Sequence, residues 1–235
     1  KGFLQRVSLL HCTTANEQKE IAWLRLKPSS QIIPNPLDIS QLRDDRTIGS
    51  LWRSRMGIPL DQTLFLVVGR LHHKKGLDLL PRVLKKLAHH PWHILFVGKD
   101  DDGTARRLKQ SFRSNGLADR CHWLESIPAD ELVGPYSSAD WLLLPSRHEN
   151  FGNVVVEALA CGTGVVVTPE VGVSDLLCEC TGVHVVSRTE NDWITALSSI
   201  LNKARPGAEA VSFVQHTFDK YTIARLMRNV YEQVL

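Results

Sequence analysis

The stretch Leu64-Phe65-Leu66-Val67-Val68-Gly69-Arg70-Leu71-His72-His73-Lys74-Lys75-Gly76 decides the fold. Its first five residues are apolar with no alternating polar partner, which is how a strand buried on both faces of a parallel sheet reads. After Gly76 come Leu77, Leu80, Leu84 and Leu87 at helical spacing, with Arg82, Lys85 and Lys86 on the other side. The order is therefore strand, basic loop, amphipathic helix. Glycines at both ends, Gly69 and Gly76, let the backbone turn tightly and approach a ligand. Between them Arg70 offers a planar fork for phosphate oxygens, and Lys75 a point charge. Taken alone, the segment is equally well a solvated basic loop. It is not a Walker A loop, and no G-x-G-x-x-G follows any strand.

The same alternation continues outward. Strands are expected at Val7–Cys12, Gln31–Ile33, Leu64–Gly69, His93–Gly98, Cys121–Leu124, Trp141–Leu144, Val165–Thr168 and Val183–Val186. Helical spacing recurs in Ala105–Ser114, around Trp193, Leu197, Ile200 and Leu201, and in Ile223, Leu226, Met227 and Val230. Strand–helix alternation predicts an α/β chain with a doubly wound, Rossmann-like parallel sheet and right-handed crossovers. Ligands of such sheets bind beyond the carboxyl ends of the strands. Pro34-Asn35-Pro36 reads as a stiff linker, and Arg205-Pro206-Gly207 as a break before the C-terminal helices.

Composition narrows the function. The 235 residues carry a formal charge of only +3, without the strongly basic face of a nucleic-acid binder. Five scattered cysteines (Cys12, Cys121, Cys161, Cys178, Cys180) do not form a disulfide framework, which points to a reducing, cytoplasmic compartment. No apolar run approaches the ~18 residues of a membrane span, and no signal peptide is visible. The first residue is Lys1, so the chain is expected to begin inside a longer protein.

Two further clusters follow strands. In Pro145-Ser146-Arg147-His148-Glu149-Asn150-Phe151-Gly152-Asn153-Val154-Val155-Val156-Glu157-Ala158-Leu159-Ala160-Cys161-Gly162, Gly152-Asn153 starts a helix and Gly162 stops it. Amides near Gly152–Val155 then face the carboxyl end of the sheet, where a helix N-terminus favours an anion. Glu157 lies about one turn further in, and Glu149 approaches from the other side. A carboxylate among Val154, Val155, Val156 and Ala158 needs a partner if buried. The other cluster, Glu125-Ser126-Ile127-Pro128-Ala129-Asp130-Glu131-Leu132, alone is helix-start chemistry.

In order, these motifs run strand-G-R-L-x-x-x-K-G, strand-V-G, I-P-x-x-E-L-x-x-x-Y-x-x-A-D and L-P-S-x-x-E-x-F-G-x-x-x-x-E-A-L-A-x-G. That order resembles the family 4 (group 1) glycosyltransferases, over roughly residues 30–235, and Glu149 to Glu157 matches their Glu-(x)7-Glu signature. The resemblance implies the C-terminal, donor-binding half of a GT-B fold. It divides the chain into an acceptor-domain remnant and linker (1–36), a nucleotide-sugar-binding domain (37–217) and a C-terminal helix packing back toward the N-terminal domain (218–235). It implies that Arg70 and Lys75, with Gly69, clamp the diphosphate of a nucleotide sugar. Asn150, Phe151, Gly152, Asn153 and Val154 would hold phosphate and sugar hydroxyls. Glu149 would touch the transferred sugar, Glu157 the ribose, and the backbone at Ser126 and Ile127 the base. Transfer would retain the anomeric configuration and need no metal or cofactor.

Asn150 stands where the family usually has Gly, Gly164 stands in place of a Gly-x-Pro, and Glu125 replaces a common Gly. The acceptor, a carbohydrate or lipid-linked glycan, would be bound by an upstream domain, which could also provide peripheral membrane association. Asp100-Asp101-Asp102 invites a metal reading, but acids at a helix start are more simply dipole-compensating. The histidines show no ligand spacing on one helix face, and His148 beside Glu149 is the one to watch. Two other functions fit the same residues: a nucleotide-sugar-binding module without transfer, and a sugar-nucleotide epimerase. Ile223, Leu226, Met227 and Val230 are expected to pack partly on the upstream domain, leaving exposed apolar surface or a homodimer contact in the isolated chain.

Overall fold

The computed structural model describes residues 2–40, 42–201 and 203–234; Lys1, Gln41, Asn202, Leu235 and the side chain of Val234 lie outside the described residues. Six parallel strands form the main sheet: β3 (Thr63–Val68), β4 (Trp92–Val97), β5 (Cys121–Leu124), β6 (Trp141–Leu144), β7 (Gly164–Val167) and β8 (Val183–Val185). Their spatial order is β5-β4-β3-β6-β7-β8. The order reverses between β3 and β6, which makes the sheet doubly wound and opens a crevice there. Observed strand limits fall within one or two residues of the expected ones.

Both faces of the sheet are apolar. Leu64, Leu66, Leu95, Val97, Val165 and Val167 face one core with α6 (Asn153–Ala160) and α8 (Ala208–Phe218). Phe65, Val67, Ile94, Phe96 and Val166 face the other, with α3 (Leu80–Lys86), α4 (Thr104–Ser114) and α7 (Glu190–Ile200). Period-two geometry assigns alternate residues to opposite cores, so an uninterrupted apolar run is what a covered sheet requires.

A smaller unit flanks this body. Strands β1 (Leu9–Cys12) and β2 (Ser29–Ile32) pair in parallel around α1 (Ala15–Ala22). The long α9 (Lys220–Val234) crosses back to them. There Ile223 and Val230 are buried with Ile33, against Leu9 and Met227. This corrects the expectation for Ile223 and Val230, because residues of the 1–36 segment cover them. Leu226 does remain 42% exposed, and Tyr221 and Tyr231 more so. The linker joins both units: Leu37 N donates to Phe218 O, Lys220 N donates to Leu37 O, and Lys220 Nζ bonds Asp38 at 2.9 Å.

The helix α2 (Arg46–Arg55) had no expected counterpart. Its buried face is Gly49 and Arg53 rather than a leucine stripe. Arg53 bonds Asp140 at 2.6 Å and three backbone carbonyls, and the Trp52 ring lies so close to Gly134 that a Cβ there would meet it at 2.0 Å. All five cysteines are free; Cys178 is exposed and Cys180 buried. Among the described residues no helix is long and apolar enough to cross a membrane.

Candidate donor-binding site

The loop after β3 is shaped by its glycines. Gly69 has φ +113° and Gly76 φ +63°, and a Cβ on Gly76 would stand 2.0 Å from Pro145 O, so this loop packs directly on the one after β6. Gly152, at φ +93°, precedes α6, and a Cβ there would meet Val171 at 2.8 Å. Gly172 approaches still closer, since its Cβ would lie 1.9 Å from Asn150 O. The Glu149–Gly152 turn is thus clamped between α6 and the 170–173 segment, with Glu149 N donating to Glu170 O and Gly172 N to Glu149 O.

Where these loops meet, a cavity of about 350 Å³ is lined by Arg70, His72, Lys74, Lys75, Asp101, His148, Glu149 and Asn150. It brings together Arg70, Lys75, Glu149 and Asn150 from the expected set. Here the loop differs from a bare cationic socket. Lys75 Nζ is bonded directly to Glu149 Oε2. Arg70, largely exposed, bonds Asp101 at 3.3 Å, and His73 bonds Asp102 at 2.9 Å. The acids facing the loop come from Asp100-Asp101-Asp102 and Glu149. Asp100 and Asp102 also cap α4, accepting from Ala105 N and Thr104 N, in keeping with the helix-start reading of the acidic run.

The remaining expected residues do not line this cavity. Asn153 is exposed at the start of α6, and its Oδ1 accepts from Asn35 Nδ2 at 3.1 Å, so the linker touches the helix start. Val155 N is satisfied by Gly152 O. Neither the Asn153 nor the Val154 amide has a partner among the described residues, which leaves two helix N-terminal donors for an anion. Phe151 is buried edge-on against Phe218 with ring centres 6.3 Å apart, so its side chain is packing; its carbonyl accepts from Val173 N, which leaves only its N–H for a ligand. Ser126 is exposed, and Ile127 packs against the core edge. Gly69 is half-buried.

Glu157 stands apart from the cavity and its partner is Tyr136. The Tyr136 ring is fully buried in α5 (Val133–Ser138), and its hydroxyl donates to Glu157 Oε2 at 2.6 Å. Burial pushes the Glu157 carboxyl above the usual carboxylate range, while the Tyr136 hydrogen bond pulls it back. Burial, then the Glu157 charge, holds the Tyr136 hydroxyl well above its ordinary value, so it stays a donor. Tyr136 appears in the third sequence motif without a role, and the carboxylate that needed a partner was the signal that could have found one.

Other residues were not legible as site neighbours. Thr14 is fully buried, caps α1 and donates to Asn150 O at 3.4 Å, while Asn16 donates to Pro169 O. The 1–36 segment therefore packs against the back of the Glu149 turn. Ser146, in the loop after β6, has a buried hydroxyl with no partner among the described residues. His72, His73 and Asp102 converge although no spacing announces them, with ligand-type atoms all within 4.8 Å.

Comparison with known proteins bears on the whole arrangement. Residues 50–213 match the family model described as "Glycosyl transferases group 1". The chain is 30% identical over 214 residues to a D-inositol 3-phosphate glycosyltransferase of Xylanimonas cellulosilytica, covering 86% of this chain and 51% of that protein. It spans about half the length, or less, of the first such relatives. Among solved structures it is similar to sucrose-phosphate synthase from Thermosynechococcus elongatus, with TM-score 0.86 and 24% identity over 99% of this chain and 60% of the other. It is also similar to Anabaena HepE in complex with UDP-glucose, with TM-score 0.84 and 19% identity over 99% and 66%. At these identities the structures speak for the fold, a GT-B-type Rossmann-like half. The family rests on the sequence match, which runs from α2 through the basic loop and the Glu149–Glu157 helix into α8: the chain belongs to the group 1 glycosyl transferases.

Proposed function

We propose that this chain is the donor-binding half of a retaining glycosyltransferase that moves a sugar from a nucleoside-diphosphate sugar to an acceptor hydroxyl, without a metal. The observation that carries the reading is the cavity where Arg70, Lys75 and Glu149 meet beside the free amides of α6. Arg70 and Lys75 hold the diphosphate, and the Asn153 and Val154 amides add donors to phosphate and sugar oxygens. Glu157, oriented by Tyr136, accepts from the ribose, and the Ser126–Ile127 backbone faces the base. That HepE was solved with UDP-glucose supports a uridine nucleotide as the donor type.

The Lys75–Glu149 pair gives the site an internal exchange. In the free chain each neutralises the other. A diphosphate entering the cavity draws Lys75 to itself, and Glu149 is released to accept hydrogen bonds from the sugar. Charge growing on the leaving diphosphate is then offset by Arg70, Lys75 and the helix amides, which are in place before reaction. Acceptor orientation belongs to an upstream domain, and orientation can account for ~7–11 kcal/mol of a barrier. The experiment is an assay of the purified chain with labelled nucleotide sugars and a mixed acceptor extract, alone and with the upstream domain added. Transfer only after reassembly is expected; comparable turnover by the chain alone would refute the half-enzyme reading. An epimerase would instead convert the nucleotide sugar with no acceptor present.

A further inference from the structure

The loop after β3 and the loop after β4 meet through side chains that the transfer chemistry does not use. The His72 and His73 rings lie with centres 4.1 Å apart, tilted 40° to each other. Asp102 Oδ2 lies 2.9 Å from His73 Nδ1 and 3.8 Å from His72 Nε2. Zinc bonds of about 2.0–2.1 Å in tetrahedral geometry place neighbouring ligand atoms about 3.4 Å apart. The two measured separations straddle that value, so small side-chain rotations bring the donors onto one ion.

The carboxylate is already oriented. Its other oxygen, Oδ1, accepts from Thr104 N, Thr104 Oγ1 and Arg107 Nη2, which turns Oδ2 toward the histidines. This is the supporting arrangement that ligating carboxylates require. Ligation through His72 Nε2 moves its ring proton to Nδ1 and gives up a long 3.3 Å bond from Lys74 N. His73 exchanges its Asp102 hydrogen bond for the metal, and its backbone N–H still donates to that carboxylate at 3.1 Å.

We propose that His72, His73 and Asp102 bind a zinc-class divalent ion that staples the loop after β3 to the loop after β4 at the rim of the Arg70–Lys75 cavity. Two imidazoles and one carboxylate select zinc, cobalt or nickel over magnesium, which prefers oxygen ligands and retains its waters. Three protein ligands leave a coordination position for solvent or an added anion. The ion has no step in sugar transfer. Its placement fixes the backbone carrying Arg70 and Lys75, so only the link to donor binding rests on the proposed function; the metal site stands on geometry alone.

Co²⁺ titrated into the full metal-free chain tests the site, read by visible absorption for imidazole and carboxylate ligands and by near-ultraviolet thiolate bands for any cysteine. The adjacent pair His89–His90 is a built-in control, with the same 4.1 Å ring spacing but no grouped acid among the described residues. Expected is one-to-one binding without thiolate bands, displaced by Zn²⁺ and not by Mg²⁺. Affinity should fall at least tenfold in His72→Ala and in His73→Ala and be unchanged in His90→Ala, with circular dichroism and melting confirming that each variant is folded. Undiminished Co²⁺ affinity in both His72→Ala and His73→Ala, loss in His90→Ala, or thiolate-dominated spectra would overturn the proposal. A parallel titration of uridine diphosphate in metal-free buffer reports on the donor reading separately.

Discussion

Replacing Tyr136 by Phe removes one oxygen from a fully buried ring and little else. The ring's packing is retained, but Glu157 Oε2 loses a donor at 2.6 Å in a site where burial already disfavours its charge. A hydrogen bond to a charged group contributes about 1.5–3 kcal/mol. Glu157 keeps some solvent access, so the lower half of that range is expected, about 1.5–2 kcal/mol. For a chain of this size each kcal/mol moves the melting temperature by about 2–4 °C, giving a fall of roughly 3–8 °C. Nucleotide affinity should fall too, because Tyr136 orients the carboxylate assigned to the ribose; about 3- to 10-fold is expected, or up to ~1.4 kcal/mol. Thermal melts and uridine diphosphate calorimetry on Tyr136→Phe, Glu157→Gln and the double variant form a cycle whose coupling energy should reach about 1 kcal/mol. Additive single effects on affinity, or an affinity unchanged in Tyr136→Phe, would refute the positioning role.

Two other perturbations follow from the geometry. Glu149→Gln frees Lys75 from its ion pair, so diphosphate affinity should hold or rise while the preference for intact nucleotide sugar over diphosphate falls; competition calorimetry reads both, and an equal loss for the two ligands would contradict the exchange. His93 and His122 bond each other at 3.1 Å, and burial holds both below their ordinary value of 6.5. Below about pH 6.5 the unfolded chain takes up protons that the folded chain refuses, so stability is full above that pH and is lost as pH falls through the window below it. Melting curves from pH 7.5 to 5.5 should show this loss, and His122→Gln should flatten it.

The sheet was legible because four of its strands carry uninterrupted apolar runs, Leu64–Val68, Ile94–Val97, Trp141–Leu144 and Val165–Val167, while His122 and His184 interrupt β5 and β8. Leu64–Val68 and Val165–Val167 needed no context to be read. Helix α2 was not legible, since its inward face is an arginine and a glycine whose burial depends on Asp140 and Ser137, far along the chain. In the site, four of the residues that the strand-end motifs singled out, Arg70, Lys75, Glu149 and Asn150, share a cavity, while Glu157, Ser126 and Ile127 do not line it. How they pair was not legible: Lys75 with Glu149, Tyr136 with Glu157 and His73 with Asp102 join residues 74, 21 and 29 positions apart. Such contacts are set by which loops the sheet order makes neighbours, and periodicity carries no record of that.

We propose that Arg70, Lys75 and the start of α6 form a diphosphate site that needs no metal. It is tested most directly by calorimetric titration of uridine and guanosine diphosphates into the chain, with and without chelator, for the parent and for Lys75→Gln. A charged hydrogen bond of about 1.5–3 kcal/mol corresponds to at least about a tenfold loss of affinity. The account predicts saturable binding of one of the two nucleotides that persists in chelator and weakens by that factor in Lys75→Gln. Binding that vanishes with chelator, or that Lys75→Gln leaves unchanged, would contradict it.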